Sequence, residues 1–219
     1  MRSPAARQAG AICRPDTRRR LASLAAFLTL GFLLLLAATS SRAATEKATF
    51  AGGCFWCVEA DFDKVPGVLS TTSGYIGGHV ANPTYPQVAA KKTGHAEAVE
   101  IVYDPARVSY DQLLASFWRS IDPTTVDRQF CDAGSPYRSA IFTHDAAQLA
   151  AAQKSLRELA ANKPFKEPIV TQIVPATTFY PAEAYHQDYY KKKPLRYQYY
   201  RKGCGRDARL EQLWGKAAP

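Results

Sequence analysis

From residue 48 onward the apolar positions follow two rhythms, one of period two and one near 3.6, and the two take turns along the chain. Residues 48–50 read as a short strand broken by Gly52-Gly53. Residues 54–64 read as a helix with Val58, Phe62 and Val65 on one face, ended by Pro66-Gly67. A Thr/Ser-rich strand over 68–75 runs into Gly77-Gly78, and 79–94 is a loop punctuated by Asn82-Pro83, Tyr85-Pro86 and Gly94. The clearest strand is 96–103, closed by Asp104-Pro105. The pattern then predicts a helix over 110–120, a polar loop over 122–136, a strand over 138–143, an Ala-rich helix over 146–161 and a strand over 169–174. A short helix around 183–192 precedes an aromatic, glycine-spaced tail. Strands alternating with helices predict one α/β or α+β domain. Strand order is not contained in this pattern.

The first 43 residues follow a different rule. Arg18, Arg19 and Arg20 precede a largely apolar stretch over 21–38, and Ser41-Arg42-Ala43 supplies small residues at the positions a signal peptidase reads. These are the three regions of a secretory signal peptide, so 1–43 is read as a Sec-type leader cleaved after Ala43 and 44–219 as the mature domain, periplasmic or secreted. The rival is an uncleaved anchor, because eighteen residues lie at the short edge of a membrane span. Setting the leader aside changes the charge. Of 28 basic and 19 acidic residues it holds seven and one, which lowers the formal charge from +9 to +3. So mild a charge argues against nucleic acid as a partner. Lys191-Lys192-Lys193 is then an ordinary solvated helix face.

Of five cysteines, Cys54, Cys57, Cys131 and Cys204 remain after the leader. In an exported protein the default reading is two structural disulfides. The context of Cys54 points elsewhere. It stands behind Gly52-Gly53, where a strand turns into a helix, and free N–H groups with the helix dipole favour a thiolate there. On the strand over 96–103, Glu97 shares a side with Val99, Ile101 and Tyr103, whereas Glu100 points the other way. A carboxyl group among apolar neighbours stays protonated near neutrality, which suits a general acid. Tyr85, Asp132 and Tyr137 lie among turn residues, where polar side chains are free to point into a cleft.

These blocks carry a resemblance. Gly52-Gly53-Cys54-Phe55-Trp56, Gly74-Tyr75-Ile76-Gly77-Gly78, Asn82-Pro83-Thr84-Tyr85, Gly94-His95-Ala96-Glu97-Ala98-Val99, Asp132 through Tyr137-Arg138-Ser139, and His186-Gln187-Asp188-Tyr189 occur in order over about residues 48–190. Together they resemble the peptide methionine sulfoxide reductase A family. The resemblance implies a ferredoxin-like α/β plait. It implies Cys54 as nucleophile, Glu97 as proton donor, Tyr85 and Tyr137 as hydroxyls on the sulfoxide oxygen, and Asp132 as a supporting polar residue. Phe55 and Trp56 would receive the substrate methyl group. Implied substrates are the S epimer of methionine sulfoxide, free or in oxidised proteins and peptides, with a thioredoxin-like dithiol as reductant, no cofactor, no metal and a monomeric protein.

The sequence departs from the family's commonest form at Cys57, Cys131 and around Cys204. Cys204, between Gly203 and Gly205, is expected to swing towards Cys54 as the resolving thiol, ahead of Cys57 and then Cys131. Two rivals predict other things. A thiol–disulfide oxidoreductase using Cys54-Phe55-Trp56-Cys57 would need Cys57 for all activity and leaves Glu97, Tyr85 and Tyr137 without a role. A metal-binding module lacks a second paired motif beside this C-x-x-C.

Overall fold

The computed structural model describes residues 44–216; the leader expected over 1–43 lies outside them. Strands β1 (Glu46–Gly52), β2 (Val68–Ile76) and β3 (Ala96–Tyr103) form the centre, with helix α1 (Phe55–Phe62) joining β1 to β2. After β2 come a five-residue helix α2 (Tyr85–Ala89), β3 and helix α3 (Tyr110–Ser120). A two-residue-per-strand hairpin, β4 (Arg128–Gln129) and β5 (Asp132–Ala133), leads through a 3₁₀ turn at Ser135–Tyr137 to β6 (Ser139–Thr143). Helix α4 (Ala146–Asn162), β7 (Gln172–Pro175) and β8 (Tyr180–Pro181) follow. Three helices close the described chain: α5 (Tyr189–Lys192), α6 (Pro194–Gly203) and α7 (Arg206–Trp214).

The main sheet runs β7-β6-β1-β3-β2-β8. All its neighbours are antiparallel except β6 with β7. Its inner order β6-β1-β3-β2 is the plait expected from the resemblance: a split βαβ unit in which β3 lies between β1 and β2. Pairing of Phe50 with Val99 and of Tyr75 with Glu97 sets the register. Period-two alternation then gives the sheet two unlike faces. One presents Phe50, Val99, Ile101 and Ile141 to Phe62 of α1 and to Leu113, Leu114 and Phe117 of α3, all essentially inaccessible. Phe50 stacks on Phe62 at 5.4 Å and on Phe117 at 4.8 Å between ring centroids. The other face carries Ala51, Ala96, Ala98 and Ala140, small enough for Ala176 and Phe179 to pack close to the strands.

Five readings from the pattern are corrected. The loop over 79–94 contains α2, started by a Thr84/Gln87 capping box too short to show as periodicity. The polar loop over 122–136 contains the β4–β5 hairpin. The last strand of the pattern begins at Gln172 rather than 169, and the expected helix over 183–192 is turn as far as Asp188, followed by one helical turn. The glycine-spaced tail is two helices, α6 and α7. Their apolar residues pack on separate small clusters, Tyr197 with Cys57 and Tyr189, and Leu213 and Trp214 with Phe165, so no single stripe announces them.

Candidate active site

The turn from β1 into α1 fixes the position of Cys54. Gly53 adopts φ +81°, and a Cβ there would meet the Gln129 side chain at 2.4 Å, so only glycine fits. Cys54 is the N-cap residue of α1 and is 7% exposed, at the wall of a cavity of about 440 Å³. Phe55, Trp56, Tyr85, Glu97, Asp132, Tyr137 and Cys204 line the same cavity, so nearly every residue singled out from the sequence is brought to one place. Cys57 and Cys131 are not on the wall. Cys57 is buried behind it at 1% exposure, and Cys131 is bonded to Cys204.

Glu97 is 2% exposed, on the strand side foreseen, while Glu100 on the opposite side pairs with Lys47 at 3.0 Å. The Phe55 N–H donates to Glu97 Oε2 at 3.1 Å, so the first turn of α1 spends a donor on this carboxyl group. Burial dominates nonetheless and pushes Glu97 up to about 8, with the charge of Asp132 adding to the rise. It therefore carries a proton at neutral pH. Burial also raises Tyr85, to about 12, and Tyr137 further, so both hydroxyls keep their protons.

The cysteine pair differs from the expectation. Cys54 and Cys57 are both free, one helical turn apart. Burial, with the neighbouring Cys57, pushes the Cys54 thiol up rather than down, and the neighbouring Cys54 together with the Arg206 and Arg201 charges brings Cys57 down to about 7. The helix N-terminus does not overcome burial, because the Phe55 N–H is committed to Glu97.

Cys204 is corrected as well. It is not a free thiol on a swinging tail but the C-cap of α6, disulfide-bonded to Cys131. The segment is held by Arg206, which is 2% exposed, donates to the Ser120 carbonyl at 2.6 Å and lies over the Phe130 ring at 4.5 Å. The default reading of two structural disulfides fails too, since Cys54 and Cys57 are both free.

Several site residues were not found in the sequence. Tyr200, on α6, donates to Asp132 Oδ2 and lines the same cavity as Cys54. His186 accepts the Trp56 indole N–H at Nδ1, 3.0 Å away, and lies against Phe55 and Tyr85. Trp56 stacks on Tyr189 at 3.7 Å, nearly parallel. Glu183 accepts from the Tyr75 hydroxyl and from the Tyr85 N–H, both at 2.8 Å, and so sets where Tyr85 enters the cavity. The motif His186-Gln187-Asp188-Tyr189 marks this wall, whereas nothing local marks Tyr200. The arrangement can hold a small apolar group against Phe55 and Trp56 while a protonated carboxyl and two hydroxyls surround an adjacent oxygen.

Comparison with known proteins agrees with this geometry. Residues 46–218 match the family described as peptide methionine sulfoxide reductase. The peptide methionine sulfoxide reductase MsrA of Bacillus licheniformis is 52% identical over 171 residues, covering 78% of this chain and 94% of the relative. Its counterpart MsrA 2 of Caulobacter vibrioides is 53% identical over 186 residues, covering 84% and 94%. Among solved structures, reduced Mxr1 of Saccharomyces cerevisiae superposes with a TM-score of 0.66 at 32% identity, covering 71% of this chain and 90% of that one. Methionine sulfoxide reductase A of Corynebacterium diphtheriae gives 0.62 at 36% identity, covering 71% and 78%. With the match running through every strand of the plait and every wall of the cavity, this chain belongs to the peptide methionine sulfoxide reductase family.

Proposed function

We propose that the chain reduces methionine sulfoxide to methionine with Cys54 as nucleophile, Glu97 as acid and Cys57 as the first resolving thiol. The observation that carries this is a buried carboxyl group, protonated at neutral pH, on the same cavity wall as the thiol. A sulfoxide oxygen leaves sulfur only once it is protonated. Glu97 supplies the proton, and the Tyr85 and Tyr137 hydroxyls stabilise the charge that develops on that oxygen. The thiolate of Cys54 takes the oxygen and becomes a sulfenic acid, and methionine departs. The S-methyl group sits against Phe55 and Trp56, and a cavity of one hand around Cys54 selects the S epimer, free or within an oxidised protein.

Resolution follows from the free thiol nearest to hand. Cys57 is free one helical turn from Cys54, and its pKa, lowered to about 7, places thiolate on it at neutral pH. It attacks the sulfenic sulfur, water leaves, and a Cys54–Cys57 disulfide forms. A thioredoxin-like dithiol protein resets that disulfide by exchange. Mass spectrometry after one turnover with a methionine sulfoxide peptide tests the scheme. Cys57→Ser is expected to release about one methionine per enzyme and to leave Cys54 as a sulfenic acid open to a dimedone-type probe. Cys204→Ser is expected to form the Cys54–Cys57 disulfide as the wild type does. No methionine from Cys57→Ser would favour a thiol–disulfide oxidoreductase, and a trapped sulfenic acid in Cys204→Ser would return the resolving role to Cys204.

The leader reading is part of the same proposal. The arginines at 18–20, the apolar stretch and Ser41-Arg42-Ala43 support export, and the family match begins only at residue 46. N-terminal sequencing of protein from the native host is expected to begin at or near Ala44, in an extracytoplasmic fraction. Intact Met1 on soluble cytoplasmic protein would overturn it.

A further inference from the structure

The catalytic groups account for only one end of the cavity. Phe55 and Trp56 take the methyl group, and Glu97, Tyr85 and Tyr137 take the oxygen. A cavity of about 440 Å³ is in the range that holds a drug-sized molecule, about 300–1,000 Å³. Its remaining wall is α6, which contributes Arg196, Tyr199, Tyr200 and Gly203. We infer that Arg196 and Tyr199 form a rim subsite that favours methionine sulfoxide beside an acidic side chain in an oxidised protein. This rests on the reductase reading and names its substrate class.

The spacing i, i+3, i+4, i+7 puts those four residues on one face of α6. The opposite side anchors the helix. There Tyr197 is buried with Cys57 and Tyr189, and Arg201 pairs with Asp61 at 2.8 Å and Asp207 at 2.7 Å. At the end of α6, Cys204 is bonded to Cys131 in the β4–β5 turn. The wall is thus held from behind and at one end, so its exposed side chains act as a fixed surface.

The chemistry of the rim is that of a carboxylate receptor beside an apolar plate. Arg196 is exposed and, among the described residues, makes no ion pair and no side-chain hydrogen bond. Arg201 and Lys191, by contrast, spend their charges on Asp61, Asp207, Asp63 and Asp188. A planar guanidinium with open donors suits a carboxylate. Tyr199 is 84% exposed, an aromatic ring kept in water at the mouth of the cavity. Arginine and tyrosine are the residue types that interfaces favour.

Length and charge decide the occupant. From Arg196 to Gly203 the face runs about 10 Å, at about 1.5 Å per residue. That is the reach of about three extended residues, more than a free amino acid covers. The occupant is therefore a segment of polypeptide, and the carboxylate at Arg196 comes from a residue next to the sulfoxide. The other charged group on the wall is Asp132, which Tyr200 ties down one helical turn further along α6. Glu97 is protonated at neutral pH. An acidic neighbour of the sulfoxide gains by lying towards Arg196 and away from Asp132, and a basic one loses.

The test uses three peptides in which methionine sulfoxide is flanked on both sides by Glu, Gln or Lys, with free methionine sulfoxide as a fourth substrate. For the wild type, kcat/KM is expected to fall in the order Glu, Gln, Lys, with the difference carried by KM. The Glu-to-Lys ratio is expected to drop roughly two- to fivefold in Arg196→Ala, the range of one exposed ion pair, and to invert in Arg196→Glu. In about 1 M salt, where charges are screened beyond about 3 Å, the wild-type ratio is expected to collapse towards one. Tyr199→Ala is expected to lower kcat/KM for every peptide relative to free methionine sulfoxide. Both positions are exposed, so these variants keep the fold. Equal kcat/KM for the three peptides, or a ratio that Arg196→Glu leaves unmoved, would overturn the subsite. So would a preference carried by kcat with KM unmoved, since a rim contact is made equally in the ground and transition states. If Arg196→Ala raised KM most for free methionine sulfoxide, the guanidinium would hold the amino acid's own carboxylate and the peptide reading would fall. Each of these results is a ratio between active enzymes. A wild type that reduced none of the four substrates would instead remove the reductase reading itself.

Discussion

Replacing Cys54 by Ser is expected to bring methionine formation from a methionine sulfoxide peptide down to the enzyme-free level, in a single turnover and under continuous reduction alike. The substitution is unusually clean. Position 54 is the N-cap of α1, where serine is among the best residues, so the helix start is retained or improved. The hydroxyl is close in size to the thiol, and Gly53 keeps its left-handed turn. What disappears is a sulfur able to form a thiolate and then to hold oxygen as a sulfenic acid. Cys57 cannot take over, because it is 1% exposed and does not line the cavity. Chromatographic quantification of methionine, with the unfolding midpoint measured in parallel, checks the result. Residual single-turnover methionine from a folded Cys54→Ser enzyme would sink the assignment.

Glu97→Gln is expected to slow the first turnover by roughly 10²-fold at neutral pH, the usual contribution of a positioned acid. Gln keeps the shape and an oxygen to accept the Phe55 N–H, but has no proton to give. The wild-type acid is present below its pKa of about 8 and absent above it, so wild-type rates should fall as pH rises through that value while the variant shows no such step. Single-turnover rates across neutral and alkaline pH decide the matter, and coincident profiles would exclude the role. Stability gives a second signature. The folded pKa lies above the ordinary 4.5, so the contribution of Glu97 is complete below that value and is lost as pH rises through about 8. Urea midpoints of the wild type should drop across this window relative to those of the Gln variant.

Much of this protein was legible in the chain because the relevant constraints are local. Period-two alternation set Glu97 on the buried side of β3 and Glu100 on the wet side, and Phe50, Val99 and Ile101 on the face that meets α1 and α3. Gly52-Gly53 before Cys54 marked a turn that only a glycine can make, and the ordered blocks from Cys54 to Tyr189 pointed to the family. The chain could not reveal what depends on distant residues meeting. The fate of the cysteines is the plainest case. Glycines on both sides of Cys204 suggest mobility, yet a buried Arg206 and a partner 73 residues away hold it in place.

The thiolate argument divides in the same way. Placing Cys54 at a helix start is a property of the local sequence. Whether its proton is loosely or tightly held depends on how deeply the plait buries it, on Glu97 taking the Phe55 N–H, and on Tyr200 arriving from a helix with no amphipathic stripe to announce it. Spacing along a chain fixes which side a residue faces within its own element. Only the packing of β3, the β4–β5 hairpin and α6 around α1 decides the dielectric and the hydrogen-bond partners that those residues acquire, and with them the chemistry of the site.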